Sequence, residues 1–380
     1  MTGQPSEQAK SRAPGNRAFG SVGSALRFFM NPRNVQEIPR LLHEGPAPIV
    51  RLVIQMHNTR EIRRRLRLGR PVSFVSSFPR SGNTWVRYLL ADVILQGQGI
   101  ETSTELPVQH NKIVPDIYCN WISPRNETAP DPGLFVKTHQ VFDELEEGLW
   151  GATRARGSGG GAGAGMFHNC KFIYLYRSPD DALVSLYHYF ARQKHLKAKT
   201  ACGIDAFCLG RLGDWENNIS SYLRAADEGA AVLFVPYELL LQYPVEILSN
   251  LLHWLGLRHD PLEVQRAVSN MEFNKLQAVE ARNLIKEEAH PLFASWKIDP
   301  FAYFRLGGKG SGQAELRAST VEQIQERTAG LVTRANSRVL GQQSLQRNPA
   351  PSETRQIRWQ AAMQSKPSKG LPSVPSLHRT

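Results

Sequence analysis

Val72-Ser73-Phe74-Val75 is a short, apolar, β-rich run, and three residues later the chain turns through Phe78-Pro79-Arg80-Ser81-Gly82 into Asn83-Thr84-Trp85. From Asn83 to Leu95 the apolar residues Val86, Leu89, Leu90 and Val93 fall on one broad helical face. A strand, a tight glycine-containing turn and a helix start therefore follow one another directly. That arrangement aims unpaired backbone N–H groups and the positive end of a helix dipole at a single point. Arg80 and the hydroxyls of Ser81 and Thr84 would add donors for an oxyanion. The turn is not GxxxxGK[ST], since it lacks both the lysine and four residues of loop. An ordinary βα turn is the alternative reading of these eight residues.

Outward from this turn the same alternation recurs. Strand-like runs lie at Leu134-Phe135-Val136, Lys171–Tyr176 and Val232–Val235, with helical patterns at Asp180–Ala191, Asp214–Ala226 and Val245–Leu255. Strands alternating with helices predict an α/β fold with a mostly parallel sheet. The helix after Tyr176 has a clear start: Ser178 at the cap, Pro179 in the first position and Asp181 three residues after the cap. Arg177 is then placed at a strand's carboxyl end, where α/β folds bind ligands. Ser185 follows about two helical turns later. Lys137, Thr138 and His139 stand at the end of another strand, and a histidine of near-neutral pKa can accept a proton from a hydroxyl. Each of these residues could equally be structural.

Composition narrows the classes. The chain has 380 residues, 41% of them hydrophobic and 21% charged, which suits a soluble globular protein. Its formal charge is +12, but residues 1–70 hold 13 Lys/Arg against 4 Asp/Glu and residues 346–380 hold 6 against 1. The stretch between them is slightly acidic, so the charge does not indicate a specific nucleic-acid partner. No apolar run nears the roughly 20 residues that span a bilayer, and the N-terminus lacks a leader pattern. A cytoplasmic location is expected. The four cysteines (Cys119, Cys170, Cys202, Cys208) show no metal-binding spacing and are too few for a disulfide scaffold, and no metal site is expected.

Taken in order, these segments resemble the sulfotransferases that use 3′-phosphoadenosine 5′-phosphosulfate (PAPS). Phe78–Trp85 is similar to that family's 5′-phosphosulfate loop, Tyr-Pro-Lys-Ser-Gly-Thr-Thr-Trp. Arg177–Ser185 resembles its 3′-phosphate motif, and Lys137-Thr138-His139 its Lys-Thr-His. Tyr237-Glu238-Leu239, the segment Met271–Glu280 and Phe304–Gly310 resemble later family segments, the last being the loop that closes over the nucleotide. The sequence departs from the family at Arg80 for lysine, Asn83 for threonine and Leu306 for lysine, and Lys309 is the candidate to replace that last charge.

The resemblance implies a three-layer αβα, P-loop nucleotide-kinase-like domain over 71–325. A basic, partly helical extension over 1–70 would precede it, and a helix and basic tail over 326–380 would follow. It further implies sulfuryl transfer from PAPS to a hydroxyl or amine on a small molecule, carbohydrate or lipid. His139, Arg80 and Lys137 would be catalytic. Arg80, Ser81, Gly82, Asn83, Thr84, Trp85, Arg177, Ser185, Tyr237, Arg305 and Gly307 would bind the nucleotide. A P-loop-like nucleotide kinase and a non-catalytic basic binding protein are the other classes. The arginines of Arg60–Arg70 read as a solvated helix face, with contact to a membrane surface as the minor reading. The glycine run 157–165 reads as a flexible loop, and the segments 1–20 and beyond Leu340 as disordered tails.

Overall fold

The computed structural model describes residues 46–102, 107–122, 133–150, 169–193, 196–281 and 304–339. The glycine run, both tails, and the part of the first helical pattern before Pro46 lie outside these residues. Four strands form the sheet: β1 (Val72–Ser77), β2 (Leu134–Thr138), β3 (Cys170–Tyr176) and β4 (Val232–Pro236). All are parallel, in the order β2-β1-β3-β4. The expected mostly parallel α/β sheet is what forms.

Every residue of β1 is buried. Because successive strand side chains point to opposite faces, both faces of the sheet must be covered. This accounts for the unbroken run of apolar and small residues from Val72 to Ser77. The crossovers leave β1 in opposite directions, toward β2 and, after passing back, toward β3. Such a reversal opens a crevice at the carboxyl ends of the strands.

The helices are α1 (Pro46–Arg67), α2 (Asn83–Gly97), α3 (Pro107–Ile113), α4 (Phe142–Trp150), α5 (Pro179–Arg192), α6 (Ile204–Asp227), α7 (Tyr237–Gln242), α8 (Pro244–Leu255), α9 (Pro261–Asn270), α10 (Phe273–Ala281), α11 (Ser311–Glu315) and α12 (Ala318–Asn336). Helix α6 starts ten residues before its sequence pattern suggests. Gly210 and Gly213 interrupt the apolar periodicity there, but Phe207, Cys208 and Leu212 are buried and tertiary packing outweighs the weak propensity.

Helix α1 packs against β1 and α4. Ile62 and Leu66 join the main core, and Arg65 is only 4% exposed. Arg63 donates to the Gly148 carbonyl. The arginines of 60–70 are therefore not one solvated face: the helix's apolar residues draw it onto the sheet, and Arg65 goes in with them. At the other end, α12 runs unbroken through residue 325 and buries Ile324, Thr328 and Ala335. Tyr176 Oη donates to Asn336 Oδ1 at 2.6 Å, and Phe234 bridges Val339. The packed unit thus reaches Val339.

All four cysteines are free, and Cys119, Cys170 and Cys208 are buried.

Candidate active site

The residue that follows each strand, Phe78, His139, Arg177 and Tyr237, lines one cavity of about 700 Å³. Parallel pairing brings this about, since it sets all four carboxyl ends on the same edge of the sheet.

The turn after β1 forms one wall. Arg80 (φ 71) and Gly82 (φ 92) both adopt the left-handed conformation, which reverses the chain within three residues. Arg80 is the only non-glycine with positive φ among the described residues. Its Nε donates to Ser185 Oγ at 3.2 Å, and its guanidinium lies 5.2 Å from the Tyr189 ring centroid. Gly82 caps α2, and a Cβ there would stand 2.5 Å from Cδ2 of Tyr237. Ser81 is fully buried beneath the turn, with no partner for its hydroxyl among the described residues. The amide nitrogen of Asn83 reaches the Val75 carbonyl at 3.0 Å, Ser77 Oγ at 3.1 Å and the Thr138 carbonyl at 3.4 Å. Asn83 thereby ties the ends of β1 and β2 together. Trp85 Nε1 donates to the Met271 carbonyl at 2.8 Å, fixing the indole at the cavity edge.

His139 lies at the end of β2. Its Nδ1 is 2.9 Å from the Ser77 carbonyl. A carbonyl only accepts, so Nδ1 carries the hydrogen and Nε2 keeps the basic lone pair. Burial first, then the charge of Lys137, lowers the His139 pKa to about 4, so the ring is neutral at pH 7.

On β3 and α5, Arg177 Nη2 donates to the Gly308 carbonyl at 2.8 Å and stands 3.5 Å from Asp181 Oδ2. Its guanidinium lies 4.9 Å from the Tyr237 ring centroid. Arg177 Nε is buried and unpartnered among the described residues. Ser178 occupies the cap position and Pro179 the first turn, but the Ser178 side chain makes no cap bond; its backbone N–H donates to Glu238 Oε1 at 2.9 Å. Asp181, expected to complete that cap, instead accepts from Gly310 N (2.8 Å), Ser311 Oγ (3.0 Å) and Gly312 N (2.7 Å). Three donors from the late loop outcompete the helix's own amides for this carboxylate.

In that loop, Arg305 Nη1 donates to Glu315 Oε1 at 2.9 Å, and Glu315 also meets His188 Nε2. A Cβ on Gly307 would lie 2.4 Å from Phe273, so glycine is needed there. Lys309 is exposed and does not line the cavity, whereas Leu306, 61% exposed, does.

All the anticipated site residues except the underlying Ser81 line this one cavity. Between α3 and β2, Tyr118 lines the cavity, whereas Trp121 packs edge-on against His57. Sequence reading missed Asp116, whose Oδ2 accepts from Lys137 Nζ at 2.6 Å. Nothing in the local pattern around Asp116 marks it. Among the described residues, no three His, Cys, Asp or Glu side chains gather as a metal site, and no helix is long and apolar enough to cross a membrane.

A parallel α/β fold that collects Arg80, Lys137, Arg177 and Arg305 beside a helix N-terminus is built to receive a multiply charged anion. Residues 163–337 match the family model described as "Sulfotransferase domain". The chain is 25% identical over 264 residues to a flavonol 3-sulfotransferase of Flaveria bidentis, covering 66% of this chain and 78% of that one. It is 22% identical over 215 residues to human sulfotransferase 1C2, covering 53% of this chain and 64% of the relative. A mouse sulfotransferase solved with PAP is 19% identical with a TM-score of 0.46, over 77% of this chain and 89% of that one. By these matches the chain is similar to sulfotransferases, with the sulfotransferase domain matched over residues 163–337.

Proposed function

We propose that the chain transfers a sulfuryl group from PAPS to a hydroxyl acceptor, with His139 as the base. The observation that carries this reading is the neutral His139, its Nδ1–H spent on Ser77 and its Nε2 available, in the same cavity as five cationic side chains.

The nucleotide fits the donor set. The unpartnered Arg177 Nε and the Ser185 hydroxyl suit a 3′-phosphate, with Arg305 and Gly307 covering it. The first-turn amides of α2, which starts at the left-handed Gly82, suit the 5′-phosphosulfate. Trp85 and Tyr237 offer ring surface for the base. A flavonol features in the name of one relative, which supports a small-molecule hydroxyl as acceptor.

PAPS supplies the sulfuryl group as co-substrate. His139 Nε2 takes the acceptor's hydroxyl proton as its oxygen forms the new O–S bond. The S–O bond to the 5′-phosphate breaks, and the electron pair stays on the phosphate oxygen. Arg80 and the α2 amides neutralise that growing charge, the kind of electrostatic stabilisation that dominates such reactions.

Incubation with PAPS and an acceptor panel, followed by mass spectrometry, should yield a product heavier by one sulfuryl group. His139→Ala should lower turnover by roughly 10²–10⁴-fold while retaining nucleotide binding. Unchanged turnover would remove His139 from the role.

A further inference from the structure

Asp116 takes no part in the reaction as derived above, yet the fold holds it from every side. Its Oδ2 accepts from Lys137 Nζ at 2.6 Å, and its Oδ1 accepts from the Tyr118 backbone N–H at 2.9 Å. Its own N–H donates to Asn120 Oδ1 at 2.9 Å, and that oxygen also accepts from Arg87 Nη2 at 2.8 Å. On either side of Asp116 the main chain is clamped to Lys137: Lys137 N donates to Pro115 O at 2.8 Å, and Ile117 N donates to Lys137 O at 3.0 Å. Residues 115–117 are thus laid along β2 as a single bridge whose register presents Asp116 to Lys137.

A buried ion pair of this kind is weak support for stability, because desolvation offsets most of the attraction. Asp116 and Lys137 have only 6% of their side-chain surface exposed, and both line the reaction cavity. Lys137 and His139 are two residues apart at the end of a strand, and so share a face. A lone lysine on that face would be free to swing onto a sulfuryl group, and would present its full charge to the imidazole. Resting on the sulfotransferase reading, we propose that Asp116 is a positioning residue of the transfer reaction: it holds the Lys137 ammonium in place and cancels part of its charge at His139.

The other groups facing His139 are Arg80, from the turn after β1, and the Ser77 carbonyl. Asn218 and Tyr222 of α6 contribute neutral groups that bond to the carbonyls of His139 and Gln140. These are common to all the variants below. Burial alone would raise the Asp116 pKa, but the charges of Lys137 and Arg87 outweigh it and hold the carboxyl near 2, so it stays ionised through the working range.

The test follows the His139 C2–H by NMR during pH titration of the full chain in wild type, Asp116→Asn, Lys137→Met and the double variant. Lys137→Met removes the carboxylate's nearest counter-charge and should raise the His139 midpoint by roughly one unit, Asp116→Asn should lower it, and the double should return toward wild type. In turnover, Asp116→Asn should lower kcat about tenfold or more, with KM for PAPS within about threefold, and should be nearly silent once Lys137 is already Met. If Asp116→Asn does not fold, the comparison of Lys137→Met with the double still decides the matter. Coincident midpoints in those two, or effects of the two substitutions that simply multiply, would overturn the proposal. Wild-type sulfuryl transfer tests the underlying reading separately, and the NMR midpoints report on Asp116 whether or not an acceptor turns over.

Discussion

Gly82 and Arg80 occupy the same left-handed region for different reasons. At Gly82 (φ 92) the Tyr237 ring is so close that a methyl group would overlap it. That ring in turn carries the Arg177 guanidinium. Gly82→Ala should therefore destabilise the chain by about 1–3 kcal/mol in urea unfolding, from strain and overlap together. It should also weaken binding of 3′-phosphoadenosine 5′-phosphate in calorimetry, because the ring under Arg177 is displaced. Unaltered affinity would mean that Tyr237 has room to yield. Arg80 at φ 71 bears a cost of about 1–2 kcal/mol that glycine would not. Strain of this sort survives where the side chain is needed, and here it aims a guanidinium between Ser185 and Tyr189.

Between elements, Asp181 is the fastening that joins α5 to the start of α11. It accepts from Gly310, Ser311 and Gly312 and stands beside Arg177, so the loop bearing Arg305 and Gly307 is tied to the same helix as Ser185. The packing is tight: a Cβ on Gly312 would meet Asp180 at 2.5 Å. This anchorage holds the loop although Leu306 stands where the resembled loop has lysine and Lys309 does not line the cavity. Asp181→Ala would leave buried donors unsatisfied and should cost about 2–4 kcal/mol. On the proposed reading, in which this loop covers the nucleotide rather than the acceptor, the substitution should raise KM for the nucleotide more than it lowers kcat. Calorimetric titration and steady-state kinetics on one preparation would check both; a kcat effect with unchanged KM would contradict it.

Across the whole molecule, the net charge of +12 describes neither the flanks nor the site. The cavity's positive character comes from Arg80, Lys137, Arg177 and Arg305, placed by three strand ends and one loop, with Arg211 of α6 as a fifth lining cation. A chain ending at residue 339 should therefore bind 3′-phosphoadenosine 5′-phosphate within about twofold of the full chain, because every cation of the site is retained. A large loss would give the basic C-terminal stretch a part in nucleotide binding.

The strand–turn–helix order around Gly82, the four strands and many of the residues that line the cavity were legible in the sequence, because strand periodicity, turn chemistry and helix starts are local properties. Local patterns were silent on three points. They could not show that Asp181 would leave its cap for the late loop, that Arg65 would enter the core with Ile62, or that Asp116 would meet Lys137. Those outcomes depend on groups far apart in the chain competing for the same partners, and only the packed sheet brings these competitors together. The site's donors are thus set by short-range order, whereas their pairing, and with it the charge at His139, is a property of the folded molecule.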